Sequence, residues 1–107
     1  MLKTLLVAGA MAALGFGSLA VATDVLVVSQ HNRQFSPQVL EITKGETVRI
    51  VNDDRVTHHV YVAAPEMSYD SGEMPVGTSL TLRFDRTGTF PVRCAIHPKM
   101  RLDVTVR

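Results

Sequence analysis

Phe90-Pro91-Val92-Arg93-Cys94-Ala95-Ile96-His97-Pro98-Lys99-Met100 reads as a strand running into a tight loop. On a strand, side chains point alternately to opposite faces, so Phe90, Val92 and Cys94 share one side and Pro91 and Arg93 the other. Arg93 belongs in water, which turns Cys94 toward the interior. Residues 102–106 alternate in the same way, with Leu102, Val104 and Val106 in register. Two strands therefore flank a loop that carries a thiol, an imidazole and a thioether. These are soft and borderline metal ligands of the kind copper favours. Pro98, directly after His97, fixes part of the loop backbone.

Working outward, the rest of the chain repeats the strand pattern. Val25-Leu26-Val27-Val28 is an apolar strand candidate. Residues 39–43 and 47–51 are β-branched runs joined by Lys44-Gly45-Glu46, which reads as a hairpin-like turn. Residues 31–37 are polar and irregular, and Pro37 argues against a helix there. Residues 52–55 form a loop and residues 56–62 another strand. Residues 65–77 carry Pro, Ser, Asp and Gly without periodicity and read as a long surface connection. Residues 79–85 alternate cleanly, with Leu80, Leu82 and Phe84 on one face, and Arg86-Thr87-Gly88 turns the chain. About seven short strands with regular turn signals predict an all-β, Greek-key sandwich.

The same alternation selects a partner for the loop. Val56, His58, Val60 and Val62 share the apolar face, while Thr57, His59 and Tyr61 share the polar one. His58 thus points inward and His59 outward. Two imidazoles, one thiolate and a weak axial thioether make up the ligand set of electron-transfer copper sites. The expected metal ligands are His58, Cys94, His97 and Met100. Taken singly, each has an ordinary packing explanation, since buried Cys and Met are common in cores. Their spacing and joint chemistry favour a metal site.

The 107-residue chain opens with Lys3, an apolar run over residues 5–22, and Ala20-Val21-Ala22 before Thr23-Asp24. That is the pattern of a cleavable secretory signal over residues 1–22, implying periplasmic export. An uncleaved anchor is the alternative, since the run nearly spans a bilayer. Cleavage leaves 85 residues, numbered 23–107, enough for one small domain. Lys3 leaves with the signal, so ten basic residues face ten acidic ones. That balance supports neither nucleic-acid binding nor attachment to a membrane surface. Cys94 is the chain's only cysteine, which excludes an internal disulfide and calls for another use of a thiol in an oxidising compartment.

Several stretches resemble the cupredoxins, small blue copper proteins of the plastocyanin, pseudoazurin and amicyanin group. Phe35-Ser36-Pro37, Leu40-Glu41-Ile42 and Lys44-Gly45-Glu46-Thr47-Val48 are similar to the family's early strands. Asn52-Asp53-Asp54 through His58-His59-Val60 resembles the segment bearing its first histidine ligand. Gly88-Thr89-Phe90 leading to Cys94, His97 and Met100 resembles its ligand loop, with the short spacing of amicyanin. The resemblance implies a single copper ion cycling between Cu(I) and Cu(II), held by His58, Cys94, His97 and Met100. It also implies an exposed edge at His97, with Pro98, for docking. Two positions depart from the family: His59 stands where Asn is usual, and Val92 where an aromatic residue is common.

The function expected is therefore a monomeric carrier of single electrons between transient protein redox partners. The alternative is copper delivery, storage or resistance, in which His59, Met67 and Met74 would extend a more open site. Catalysis is not expected. A Cys–His nucleophile pair needs a substrate cleft, and a copper oxidase or nitrite reductase needs a second metal centre, for which the sequence offers no ligands. Zinc fits these ligand types except for Met100, a poor zinc ligand. His31 reads as a solvated loop residue.

Overall fold

The computed structural model describes residues 25–107. The predicted signal segment, residues 1–22, lies outside the described residues. Nine strands and no helix make up the described part: β1 (Leu26–His31), β2 (Gln34–Ser36), β3 (Val39–Ile42), β4 (Thr47–Asn52), β5 (Val60–Ala64), β6 (Met67–Asp70), β7 (Ser79–Arg83), β8 (Gly88–Cys94) and β9 (Arg101–Val106). They form two sheets, ordered β2-β1-β4-β7 and β3-β9-β8-β5-β6. The all-β sandwich expected from alternation is the observed fold.

The differences from expectation are local. Residues 31–37 hold β2, which pairs antiparallel with β1 through Ser29–Ser36, Gln30–Phe35 and His31–Gln34. The turn between them places Asn32 and Arg33 in the left-handed region, at φ 51° and 55°. This is the backbone of the two-residue turn that matches strand twist. Residues 65–77 are not a plain surface connection either, since β6 pairs with β5 there. The turn at residues 44–46 is not a hairpin. It carries the chain from one sheet to the other, because β3 pairs in parallel with β9 and β4 in parallel with β1. Gly45 turns at φ 95°, and the Glu46 carboxylate accepts from the Thr43 amide at 2.6 Å.

The inward positions of each strand meet in one core. Val48 and Ile50 face it from β4, Phe90, Val92 and Cys94 from β8, and Leu102, Val104 and Val106 from β9. Full burial of such side chains contributes about 1.5–3 kcal/mol each. One inward position breaks the apolar rule. Gln30 on β1 is wholly buried, and neither polar atom of its side chain has a hydrogen-bond partner among the described residues. An unsatisfied buried polar group costs about 1–3 kcal/mol. Gln30→Met, close in shape, is therefore expected to raise the stability of the metal-free domain by about 1 kcal/mol. Denaturant unfolding checks this, and a comparable loss would contradict it.

Candidate metal site

The site is built at one end of the second sheet. β8 pairs with β5 through Val60–Cys94, and the Ala95 amide donates to the His59 carbonyl at 2.8 Å, extending that ladder past its last strand pair. This holds the His58 segment beside Cys94. On its other side β8 pairs with β9 down to Arg93–Arg101, so continuing the register sets Met100 opposite Cys94. The intervening loop is closed by the Met100 amide, which donates to the His97 carbonyl at 2.9 Å. Neighbouring strands thus clamp both ends of the ligand-rich loop.

His58 lies ahead of β5, not inside a strand as residues 56–62 suggested. An isolated antiparallel bridge to Met74 holds its backbone, with hydrogen bonds of 3.1 and 2.7 Å in the two directions. The extended backbone preserves the alternation: His58, Val60 and Val62 are buried, and His59 and Tyr61 are half-buried. The His58 ring is completely buried.

Three of the four sequence-predicted residues meet in space. Cys94 Sγ lies 3.7 Å from Nδ1 of His58 and 3.7 Å from Nδ1 of His97. The three ligating atoms all fall within 4.8 Å of one another. The imidazoles meet edge to face, with ring centroids 4.9 Å apart. Met100 is 1% exposed, inside the core, next to this cluster in the loop. Two facing nitrogens and one sulfur at these separations leave room for one ion of the copper type, and the soft sulfur suits it. His97 is half-buried, and its proton affinity is lowered by burial first, then by the charges of His58 and Arg33.

The remaining histidines and methionines lie elsewhere. The His59 ring bonds to the Asp70 carboxylate at 2.5 Å, away from the cluster. His31 is exposed at the end of β1, with Nδ1 2.6 Å from the Asp53 carbonyl. Met74 is a core residue and Met67 is half-buried against the core, so neither contributes to an open thioether surface.

Asp54 was not among the expected site residues. Its carboxylate sits behind His58, with Oδ2 2.9 Å from Nε2, in a buried position. Burial would raise its pKa, but amide donors from Arg33 and Arg55 together with the His58 ring outweigh burial and hold it far below the usual carboxylate range. The only available signal was an acidic residue four positions ahead of an inward histidine.

Comparison with known proteins agrees with this architecture. The methylamine utilization protein MauL of Methylorubrum extorquens is 28% identical over 112 residues, spanning 99% of this chain and 93% of that protein. Amicyanin of Paracoccus denitrificans is 28% identical over 94 residues, spanning 85% of this chain and 72% of its own. The solved Cu(I) form of an amicyanin point mutant superimposes with a TM-score of 0.73 at 27% identity, covering 84% of this chain and 89% of that one. The family model for the cupredoxin-like domain matches residues 4–106. The chain belongs to the cupredoxin-like family.

Proposed function

We propose that this chain is a type 1 copper protein that carries single electrons between periplasmic redox partners. Residues 1–22 act as a cleaved signal and residues 23–107 as the copper-binding domain. The ligands are His58, Cys94, His97 and Met100. The observation that carries the reading is the buried Cys94 sulfur, equidistant from two imidazole nitrogens. When bound, copper supplies the one-electron Cu(I)/Cu(II) couple. The protein's part is to hold the donor atoms nearly fixed. Ladders on both sides of Cys94 and the bridge at His58 resist the rearrangement that would slow transfer. The visible and paramagnetic resonance spectra of the mature domain with one equivalent of Cu(II) test this. An intense visible band is expected, and Cu(II) uptake without one would sink the type 1 assignment.

Delivery or storage of copper is the alternative, but the buried Met74 and half-buried Met67 speak against an open methionine-rich site.

The docking face adjoins His97. A groove of about 440 Å³ runs between the β1–β2 turn and the ligand loop, with Ile96, His97 and Pro98 exposing apolar surface along it. Arg33, Lys99 and Arg101 also line it, and no acidic residue does. In a mature domain whose ten basic and ten acidic residues balance, this local excess of positive charge fits a protein partner that presents an apolar contact ringed by carboxylates. Electron exchange with a small anionic iron cyanide complex should slow as ionic strength rises from about 0.01 to about 0.1 M, where the screening length falls from about 30 to about 10 Å. Exchange with a cationic cobalt complex should not slow. Lys99→Glu should reduce the anionic rate severalfold. Equal salt dependence for the two probes would refute an electrostatic docking face.

A further inference from the structure

We propose that Arg33 is the residue through which this chain reads its redox partner, a fixed cation in the His97 groove that takes a carboxylate from the docking protein. The proposal rests on the electron-carrier reading above and names the chemistry of one contact in its docking face. The observation behind it lies in the backbone. The pair His31–Gln34 closes β1 and β2 through two residues, Asn32 and Arg33, both in the left-handed region at φ 51° and 55°. A turn of this kind favours Asn-Gly or Asp-Gly, because both central residues need positive φ. Asn32 meets that preference and Arg33 does not. The left-handed region is unfavourable for a residue with a Cβ, and strain of this sort gathers at functional sites.

The turn gives the Arg33 side chain its position. The Arg33 amide donates to the Asp54 carboxylate at 2.8 Å, which pins the turn. The exposed side chain lines the same groove as Ile96, His97 and Pro98. Among the described residues Arg83, Arg101 and Arg107 are paired with carboxylates, and Arg33 is not. Arg101 is therefore largely compensated by Asp103, at 2.8 Å. Arg33 and Lys99 remain as the groove's uncompensated charges, and no acidic residue lines it to compete for them. Lys99 offers a point charge on a flexible stem, whereas a guanidinium offers a planar fork that matches both oxygens of a carboxylate. A strained turn that holds an unpaired fork beside the exposed ligand edge fits a partner carboxylate.

Arg33→Gly in the full mature domain separates the two roles, because it relieves the backbone and removes the charge together. The expected result is an apo melting temperature equal to or above that of the wild type, with an unchanged Cu(II) spectrum. Electron exchange with the anionic, carboxylate-bearing iron–EDTA complex should slow at least about threefold at low salt, as loss of a rim charge acts on association. Arg33→Lys, which keeps the charge without the fork, should fall between the two. A lower melting temperature with an unchanged rate would make Arg33 a structural residue and overturn the proposal. A second measurement needs no copper. A hexaglutamate peptide added to the metal-free, ¹⁵N-labelled wild type should shift the amides of residues 32–34 and 96–99, and shift them less in Arg33→Gly. Equal shifts in both proteins, or none in the wild type, overturn the proposal. A wild type that takes up Cu(II) without an intense band sinks the type 1 reading and leaves the peptide result standing.

Discussion

Replacing Cys94 with alanine should abolish the intense visible band and most of the copper affinity while leaving the apo domain folded. The chain has no other thiol to supply the sulfur donor. The side chain is 2% exposed and sits between the two histidines, so no nearby group takes its place. The structural cost is modest. Cys94 packs as a small apolar residue at the last position of β8, and the β5–β8 ladder uses its backbone. Losing one sulfur atom from a core costs about 1–2 kcal/mol, as small truncations do. Copper titration followed by absorbance, together with thermal unfolding of the apo protein, separates the two effects. A variant that keeps the band would remove Cys94 from the ligand set.

The second large effect is the contrast between two adjacent residues. His58→Ala should destroy the site, whereas His59→Ala should leave it intact. His58 is wholly buried, so its removal opens a cavity and takes away one of the donors to the buried Asp54 carboxylate. The two losses together should destabilise the apo domain by about 2–4 kcal/mol. Copper affinity should fall by more than the roughly 100-fold that loss of an outer-shell group can cause. His59 is hydrogen-bonded to Asp70, whose side chain is 69% exposed. Such pairs are worth about 0–1 kcal/mol. Parallel copper titrations and denaturant melts of the two variants suffice. A destroyed site in His59→Ala alone would mean that the inward and outward faces are reversed.

Much of this was legible in the sequence. Alternation through Phe90, Val92 and Cys94, and through His58, Val60 and Val62, was enough to place the inward faces, because each stretch buries one side only. The short strands were harder to read. β2 has three residues and a single inward side chain, Phe35, so no period can show in it. β6 is an edge strand of mixed exposure whose existence depends on β5 beside it. Nothing local to residues 44–46 says that the flanking strands part into different sheets, because their partners are β9 and β1. Asp54 was hidden for a similar reason: one of its donors, the Arg33 amide, lies 21 residues away in sequence. A buried carboxylate looks like any loop aspartate until the donors are in place.

The parallel pairing of β3 with β9 has a consequence for how the chain comes to be folded. β9 holds the last strand residues of the chain, yet it lies inside the second sheet, with β3 on one side and β8 on the other. Val39 must wait for Asp103 before that pairing can begin. Such long-range closure is slow because the loop entropy is lost before the contacts form. The second sheet therefore cannot reach its final strand order until β9 is in place, however early β3 and β8 are available.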